Sequence, residues 1–357
     1  MPPHELKLQL QAQLNNKTKP PCSLGKLEAL ALQIGLIQQS LNPTAKPAKL
    51  LLFAADHGVY AEGIAPYPQA VTAQMVLNIC AGGAASSVLA RQHAISLSVI
   101  DVGVAAKLDA HALLIDAKVA LGSRNLAREV AMQPDELQAA MAAGASAVQL
   151  SANDARVLLI GEMGIGNTTS ATALSCVLLG ALPAALTGPG TGLDPAGIAH
   201  KAAVIHAAVQ RHGYAPGTPF VATSKEAVLQ LLGALGGLEI AAMTGAYLQC
   251  AAMRKVILVD GMIATAALAC AVLLEPTVLE FCVFSHQSSE PAHTGLLQML
   301  AATPLLDLQL RLGEGTGALC AYPLLQSACA IINEMATFSS AGVADATAPV
   351  TPTPVSH

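Results

Sequence analysis

The sequence of 357 residues predicts an α/β protein, in which a doubly wound parallel sheet carries helices on both faces. Two observations support this prediction. Short runs rich in Leu, Val and Ile alternate with longer Ala-rich segments, and the short runs are mostly apolar without strict alternation of polar residues. Such strands are typical of a parallel sheet that is buried on both faces. The composition agrees, because 53% of the residues are hydrophobic and 11% are charged, which supplies a large core and excludes a disordered chain.

Five runs are predicted to be strands, at residues 49–55, 97–102, 156–160, 255–259 and 279–284. Their carboxyl ends carry Asp56 and His57, Asp101 and Gly103, Glu162 and Gly164, Asp260 and Gly261, and Ser285 and His286. Open α/β sheets bind ligands at this edge, so one shared site is predicted there. Asp and Gly are also ordinary turn residues, and at any single strand end a turn is the commoner explanation. A shared site explains the occurrence of such residues at all five strand ends better.

The charge and hydropathy patterns exclude several classes of partner. The net charge is −5, and no cluster of Lys and Arg is interleaved with aromatic residues, so we expect no nucleic acid partner. The mean hydropathy is +0.53, but the long uncharged stretches at 164–193 and 315–333 contain prolines and polar residues, so no membrane insertion is expected. The first residues lack the apolar core of a signal peptide, and we expect a cytoplasmic protein.

The cysteines and histidines do not predict a metal site. The eight cysteines are scattered without a CxxC pair, and most of them stand in apolar contexts that suit reduced core thiols. No two histidines stand four residues apart, as two ligands on one helix face would.

A first glycine-rich segment, residues 161–170, leads from a predicted strand into an Ala-rich helix. Its glycines permit close approach of the backbone to a ligand, and the free N–H groups at a helix start favour an anion. Thr168, Thr169 and Ser170 add hydroxyl groups. We therefore predict a phosphate cradle, while Thr168 acting as a plain N-cap residue explains the pattern equally well. The spacing matches neither a Walker loop nor GxGxxG.

A second glycine-rich segment, residues 187–194, precedes a helix that contains Lys201. Between residues 157 and 253 the only cationic side chains are Lys201, Arg211 and Lys225. A Lys that follows a glycine loop can neutralise a monophosphate. The alternative is a solvated helix face, which is the commoner role of a single Lys.

A third segment, residues 311–318, places Glu314 between two glycines at the start of an apolar helix. A carboxylate in this position is partly stripped of water, which raises its pKa into the range of a general base. The alternative is an acid that merely interacts with the helix dipole. Glu162, in the first glycine-rich segment, supplies a second carboxylate and favours the catalytic interpretation.

Two further groups of side chains are candidates for ligand contacts. Tyr67, Gln74 and Met75 combine an aromatic ring, an amide and a thioether, which suit a slot for a flat heteroaromatic ring, although core packing is the commoner role of Met75. Ser288 lies in a serine-rich segment beside His286, and the absence of a GxSxG elbow favours hydroxyl contacts to a ligand over a catalytic triad.

The two chain ends are predicted to form a smaller helical domain. Residues 1–47 form its N-terminal part, residues 48–310 form the large α/β domain, and residues 311–343 form the C-terminal part of the small domain and include Glu314. Residues 344–357 are rich in Ala, Thr and Pro and are predicted to be a disordered tail.

Taken together, these segments resemble the nicotinate-nucleotide:dimethylbenzimidazole phosphoribosyltransferase family over roughly residues 19–343. The resemblance rests on several blocks that occur in order, namely residues 19–28, AADHGV at 54–59, 71–76, 82–85, GEMGIGNTT at 161–169, GTGLD at 190–194, LGGLEIA at 235–241 and RLGEGTG at 311–317. It implies a Rossmann-like large domain, a smaller domain built from both chain ends, a homodimer, and no metal or redox cofactor.

The same resemblance implies an activity. Members transfer the 5-phosphoribosyl group from nicotinate mononucleotide to 5,6-dimethylbenzimidazole, which gives α-ribazole 5'-phosphate and nicotinate in cobalamin biosynthesis. The implied partners of this chain are therefore small-molecule substrates, a nucleotide and a benzimidazole-type base. A non-catalytic nucleotide-binding or regulatory protein of the same fold is the alternative.

Carried over residue by residue, the resemblance makes Glu314 the catalytic base and Glu162 the acidic residue beside the nicotinate nucleotide. The residues implied for phosphate and ribose are Gly164, Gly166, Asn167, Thr168, Gly190, Thr191, Gly192, Lys201 and Ser288. Tyr67, Gln74 and Met75 would border the benzimidazole. The sequence departs from the family pattern at Cys22, where Gly is usual, and at Pro189, where Arg is usual.

Overall fold

The computed structural model of the protein describes residues 2–344, which form two compact units. The larger unit comprises residues 46–323, and the smaller comprises residues 2–45 and 324–344. The segment predicted at 311–343 is thus divided at residue 323, and Glu314 belongs to the larger unit. Of the predicted tail at 344–357, all but Ala344 lies outside the described residues.

The larger unit holds a six-stranded sheet in which every pairing is parallel and the strand order is β3-β2-β1-β4-β5-β6. The strands are β1 (Ala48–Ala55), β2 (Ser96–Gly103), β3 (Leu114–Asp116), β4 (Val157–Met163), β5 (Val256–Val259) and β6 (Cys282–Phe284). The predicted α/β class is confirmed. The chain changes direction across the sheet between β1 and β4, the switch point beside which open α/β sheets bind ligands.

Three details differ from the sequence prediction. The short strand β3 was not predicted, because three residues at a sheet edge carry too little periodicity to be recognised. Residues 279–281, predicted as strand, belong to the 3₁₀ helix Pro276–Phe281. Strand β4 continues to Met163, so Gly161 and Glu162 are the last part of a strand rather than the loop after it.

Fourteen α-helices are present among the described residues. They are α1 (Pro3–Asn15), α2 (Lys26–Gln38), α3 (Val71–Cys80), α4 (Ala85–Gln92), α5 (Pro134–Ser151), α6 (Asn167–Leu179), α7 (Pro183–Leu186), α8 (Pro195–Arg211), α9 (Lys225–Leu235), α10 (Leu238–Ala252), α11 (Met262–Leu274), α12 (Pro291–Met299), α13 (Thr316–Glu334) and α14 (Phe338–Ala341). A second 3₁₀ helix spans Gly58–Glu62.

Helices α5 and α10 pack closely against each other and against strands β1 and β2. Glycine permits this approach, because a Cβ atom at Gly144 of α5 would lie 1.8 Å from the carbonyl oxygen of Ala242 in α10. Similarly, a Cβ atom at Gly245 would lie 2.0 Å from the carbonyl oxygen of Met141. A chain with few aromatic residues thus fills its core by bringing helix backbones together.

We expect Gly144→Ala to lower the free energy of unfolding by about 2 kcal/mol, because overpacking against a backbone carbonyl outweighs the gain in helix propensity. Gly233→Ala in α9 is the matched control, since its Cβ atom would find its nearest neighbour at 3.5 Å. The control is expected to leave stability unchanged or slightly raised. Urea denaturation of both variants measures the difference, and equal stabilities would contradict the packing explanation.

One helical stretch among the described residues, Val71–Gln92, has the length and hydropathy of a membrane span, and 39% of it is buried. A turn at Gly82 and Gly83 divides this stretch into α3 and α4, of 10 and 8 residues. Each helix is shorter than the roughly 20 residues that a bilayer requires.

In the smaller unit, α1 packs on α2 through the buried side chains of Leu6, Leu10 and Leu14. Lys19 and Glu28 form a buried ion pair of 2.8 Å in the same unit. Cys22 has a φ angle of 61°, in the left-handed region that favours glycine. This chain therefore has Cys in place of the usual Gly at a position whose backbone conformation is unfavourable for any residue with a Cβ atom.

Candidate active site

A cleft opens at the carboxyl edge of the sheet, beyond β4, β5 and β6. Its walls come from five segments that are distant in sequence: residues 162–168 at the end of β4 and just after it, 190–191, 260–264 after β5, 286–290 after β6, and 311–313. The carboxyl ends of parallel strands meet at one edge, so the geometry of the sheet brings these segments together. All of these segments belong to the larger unit.

The first glycine-rich loop forms one wall of the cleft. A Cβ atom at Gly164 would lie 2.2 Å from the carbonyl oxygen of Ala55, so only glycine permits the loop to pass this close to the end of β1. Gly166 has a φ angle of 98° and precedes α6, whose first residues Asn167 and Thr168 line the cleft. The Ile165 N–H donates to Thr72 Oγ1 over 3.0 Å, which holds α3 against the loop. The cleft therefore lies at the N-terminus of α6, where the positive end of the helix dipole favours an anion.

The second glycine-rich loop is held from both sides by charged residues. The Gly190 N–H donates to Glu290 Oε1 over 3.1 Å, and Arg311 Nη1 donates to the Gly190 carbonyl oxygen over 2.7 Å. Lys201 is 1% exposed, and its Nζ atom donates to Thr168 Oγ1 over 2.7 Å. The hydrogen bond between Lys201 and Thr168 thus joins the two glycine loops. The cationic side chains of Lys201 and Arg311 lie beside the second loop, which has Pro189 in place of the usual Arg.

Burial affects the charge of the residues around this loop. Loss of solvent lowers the pKa of Lys201 to about 8, although the nearby Glu290 opposes the shift. Burial also raises the pKa of Glu290, while Lys201, the Gly190 N–H and Arg311 act in the opposite direction. An anion bound beside Lys201 would favour its charged form. The arrangement is suited to a phosphate group that completes the charge balance.

The third segment adopts an unusual backbone conformation. Gly313, Glu314 and Gly315 have φ angles of 82°, 58° and 73°, so three consecutive residues lie in the left-handed region. A Cβ atom at Gly313 would lie 2.2 Å from Glu162 Oε1, so glycine is required there for space as well as for conformation. A left-handed conformation is costly for Glu314, and backbone strain of this kind concentrates at functional sites.

The carboxyl groups of Glu162 and Glu314 lie in one buried cluster. Glu162 is 5% exposed and Glu314 is 4% exposed. The Glu314 N–H points at Glu162 Oε1 over 3.4 Å, the Asn167 side-chain amide donates to Glu162 Oε2, and Ser86 Oγ donates to Glu314 Oε2 over 3.2 Å. Strand β4 thus supplies one acid and the loop before α13 supplies the other.

Both acids are shifted toward the protonated form. Burial, reinforced by the charges of Asp260, Glu239 and Glu314, raises the pKa of Glu162 to about 8. Burial and Asp260 also raise the pKa of Glu314, which the hydrogen bond from Ser86 partly opposes. The shift of Glu162 places its carboxyl group in the range where it gains or loses a proton near neutral pH, and the shift of Glu314 is in the direction that makes a carboxylate a stronger base.

Asp260 connects the cleft to α13. Its Oδ2 accepts from the Gly315 N–H over 3.1 Å, and its Oδ1 accepts from the Ala318 N–H over 2.9 Å. A carboxylate on the N–H groups of a helix start is stabilised by the helix dipole. His286 lies 3.8 Å from the same carboxylate. Asp260 therefore fixes the start of α13 and, with it, the loop that carries Glu314.

Most of the residues predicted for the site lie together. Seven line the cleft: Glu162, Gly164, Asn167, Thr168, Gly190, Thr191 and Ser288. Lys201 contacts Thr168, and Glu314 contacts Glu162, so both adjoin the lining. Gly166 lies within the first loop, facing the side chains of His57 and Ile64. Gly192 lies within the second loop, where it is exposed and does not line the cleft.

Three residues predicted for the aromatic slot lie elsewhere. Tyr67 is 50% exposed, Gln74 is exposed and Met75 is half-buried, and none of them lines the cleft. Gln74 and Met75 stand on α3, which Thr72 ties to the first glycine loop. The structure therefore places these residues on a helix that adjoins the cleft wall rather than in the wall itself.

Sequence reasoning omitted four cleft residues from the predicted site: Asp260, His286, Glu290 and Arg311. Asp260 and His286 stand at predicted strand ends, and Arg311 begins the third glycine segment, so these patterns contained a usable signal. Glu290 carried no such signal, because its contact with Gly190 joins residues 100 positions apart. Among the described residues, no group of three or more His, Cys, Asp or Glu side chains has the geometry of a metal site.

The sequence profile of the phosphoribosyltransferase family matches residues 1–343 of this chain. The class of protein is therefore an α/β transferase of the pentosyl-transferring kind. The crystal structure of CobT from Thermus thermophilus superposes with a TM-score of 0.89 at 39% sequence identity, and the match covers 95% of this chain and 99% of that one.

Curated relatives agree on the particular family. The nicotinate-nucleotide–dimethylbenzimidazole phosphoribosyltransferase of Cupriavidus taiwanensis is 50% identical over 338 residues, which are 94% of this chain and 95% of the relative. The enzyme of the same name from Pseudomonas aeruginosa is 48% identical over 329 residues, which are 92% of this chain and 91% of the relative. The chain belongs to the nicotinate-nucleotide:dimethylbenzimidazole phosphoribosyltransferase family.

Proposed function

We propose that this chain transfers the 5-phosphoribosyl group of nicotinate mononucleotide to 5,6-dimethylbenzimidazole and so forms α-ribazole 5'-phosphate for cobalamin biosynthesis. The names of its relatives support these substrates. The observation that carries the proposal is the buried pair of Glu162 and Glu314 beside an anion-binding helix start. A transfer of this kind needs a proton acceptor and a phosphate anchor within one cleft.

The chemical step forms one C–N bond and breaks another. One ring nitrogen of the benzimidazole attacks the anomeric carbon from the face opposite the nicotinate, which leaves with the electron pair of its glycosidic bond. Positive charge develops on the benzimidazole, and the proton on its second nitrogen passes to the Glu314 carboxylate. The carboxylate stabilises this charge more in the transition state than in the ground state, which is the condition for catalysis.

The nucleotide phosphate is assigned to the two glycine loops. The N-terminus of α6 supplies the positive end of its helix dipole and the Thr168 hydroxyl, and Lys201 and Arg311 supply positive charge. Gly190, Thr191 and Ser288 line the same region and are proposed to contact phosphate and ribose. Fixing the phosphate holds the anomeric carbon in place, so that orientation contributes to the rate.

The base-binding role of Tyr67, Gln74 and Met75 is proposed from the family resemblance. Their partial or full exposure leaves their side chains accessible to a ligand. Since α3 is tied to the first glycine loop through Thr72, a base resting on this helix would approach the nucleotide from the β1 side of the cleft. Glu162 is proposed to face the nicotinate end of the nucleotide.

We also propose that the chain forms a homodimer and acts in the cytoplasm. Leu77 of α3 and Val88 of α4 are 45% and 48% exposed, and Tyr67, which precedes α3 in the chain, is 50% exposed. A second copy covering these side chains would remove them from water. Light scattering is expected to give twice the chain mass of 36.2 kDa, and a monomeric mass would contradict the dimer.

The direct test incubates the purified chain with nicotinate mononucleotide and 5,6-dimethylbenzimidazole. We expect an α-configured nucleotide and free nicotinate in equal amounts, both measured by NMR. Nucleotide binding without product would instead support the non-catalytic alternative. The names of the relatives, which are transferases, speak against that alternative.

A further inference from the structure

Three side chains form a buried hydrogen-bonded group behind the cleft, and the proposed mechanism does not use them. His57 Nδ1 lies 3.0 Å from Ser170 Oγ, and His57 Nε2 lies 2.6 Å from Glu239 Oε1. We refer to Ser170, His57 and Glu239 as the buried triad. The three residues are 0% exposed. A serine without access to solvent or to the cleft cannot act as a nucleophile, so a hydrolytic role is excluded despite the residue types.

The buried triad connects three elements at the carboxyl edge of the sheet. His57 follows β1 directly, Ser170 lies in the first turn of α6, and Glu239 lies in the first turn of α10. Through His57, the first turn of α6 is linked to the first turn of α10. The imidazole ring bridges them, because one of its nitrogen atoms contacts each helix.

The first glycine loop rests directly on His57. A Cβ atom at Gly166 would lie 3.1 Å from His57 Cβ, and one at Gly164 would lie 3.6 Å from His57 Cδ2. The loop and the first turn of α6 therefore contact His57 from two directions. Movement of the ring would displace Asn167 and Thr168, which line the cleft at the start of α6.

Gly237 confines the ring on its remaining side. A Cβ atom at this position would lie 2.2 Å from His57 Cε1 and 3.0 Å from Glu239 Oε2. Gly237 has φ and ψ angles of −158° and 162°, an extended backbone that any residue adopts. Glycine is therefore required here by the space that the imidazole occupies and not by backbone conformation.

We propose that His57 is a positioning residue that fixes the phosphate-binding start of α6 through Ser170, with Glu239 and Gly237 holding its ring in place. This inference rests on the proposed function, since it assigns the α6 N-terminus to the nucleotide phosphate. Misplacement of a binding group by about 1 Å is enough to reduce binding or rate by roughly a hundredfold. The buried triad thus acts on the affinity for the nucleotide without touching it.

The first test is Gly237→Ala, which displaces the ring but leaves all three hydrogen-bonding side chains in the chain. We expect the KM for nicotinate mononucleotide to rise roughly tenfold or more, with kcat and the KM for the base changed less than about threefold. Gly233→Ala is the matched control, because its Cβ atom makes only ordinary contacts at 3.5 and 3.6 Å. Loss of folded protein alone would lower the apparent kcat and leave KM unchanged, and that pattern would overturn the proposal.

Ser170→Ala and Glu239→Gln keep the proposal testable if Gly237→Ala does not fold. Ser170→Ala removes the contact to α6 and is expected to raise the same KM. Glu239→Gln keeps an oxygen that accepts from His57 Nε2, so it is expected to retain a KM within about threefold of the wild-type value. An unchanged KM in Ser170→Ala would refute the positioning role.

Calorimetric titration of nicotinate mononucleotide, without the base, separates this inference from the proposed function. If the wild-type chain binds the nucleotide but forms no product, the transfer activity fails while weaker binding by Ser170→Ala still supports the positioning role. If the wild-type chain is active and Ser170→Ala binds the nucleotide equally well, the positioning role fails alone.

Discussion

Replacing Glu314 by Gln is expected to lower kcat for phosphoribosyl transfer by roughly 10²- to 10⁴-fold, the range that a general base contributes. Gln has the shape of Glu and still accepts the hydrogen bond from Ser86, which measures 3.2 Å in this structure. It cannot take the proton that the benzimidazole must lose. The KM for the nucleotide is expected to change little, because the proposed phosphate contacts are made by other residues of the cleft, among them Thr168, Lys201 and Arg311.

Steady-state kinetics with both substrates measures this effect, and Glu226→Gln, which changes an exposed acid of α9, is the matched control. Thermal unfolding shows whether the variant is folded. Because burial disfavours the charged form of Glu314, Gln at this position is expected to maintain or raise stability at neutral pH. Near-normal turnover in a folded Glu314→Gln variant would remove Glu314 as the base.

Nucleotide affinity is expected to fall as the pH rises through about 8, the pKa to which burial raises Glu162. Below that pH the carboxyl group is neutral and adds no negative charge beside an anionic nucleotide. Above it, the ionised group repels the nucleotide, and the KM is expected to rise roughly tenfold between pH 7 and pH 9. The groups that face Glu162 are Asn167, Asp260, Glu239 and Glu314.

The variant Glu162→Gln reproduces the neutral carboxyl group and is expected to keep the KM measured at pH 7 and to reduce its rise toward pH 9. The rise that remains is assigned to Lys201, whose pKa burial lowers to about 8. The stability of the two proteins provides a second measurement. A carboxyl group with a raised pKa in the folded state contributes stability below its unfolded pKa and loses it as the pH rises through the folded value. Glu162→Gln is therefore expected to be more stable than the wild-type chain at pH 8 to 9. An identical pH profile of KM in both proteins would show that Glu162 does not titrate in this range.

Much of the sheet follows from local patterns. The mostly apolar runs at 49–55 and 97–102 correspond to β1 and β2, which are longer by one and two residues, because buried parallel strands are rich in Leu, Val and Ile and end in turn residues. The segment 279–281 did not follow the pattern. It contains Leu279 and Phe281 on either side of Glu280, and it belongs to the 3₁₀ helix that starts at Pro276. The amino-acid composition of so short a segment does not distinguish a β-strand from a 3₁₀ helix.

The candidate site was predictable where chemistry-bearing residues follow strands or glycines. Glu162, Thr168 and Glu314 carry that signal in short segments, and the structure brings all three to one edge. Glu290 and Arg311 meet Gly190 only through folding, across 100 and 121 residues. The spacing of residues within a short segment of the sequence cannot predict contacts over such distances in the chain.

By itself the sequence determined the α/β class, the strand ends that carry polar residues and the three glycine segments, because each depends on residues that are neighbours in the chain. Only the tertiary structure decided that His57 is buried behind the first glycine loop and that Glu162 faces Glu314. It also decided the raised pKa values of both acids. Burial and charge proximity are properties of packed space, and they arise when strands far apart in the chain are aligned in one sheet.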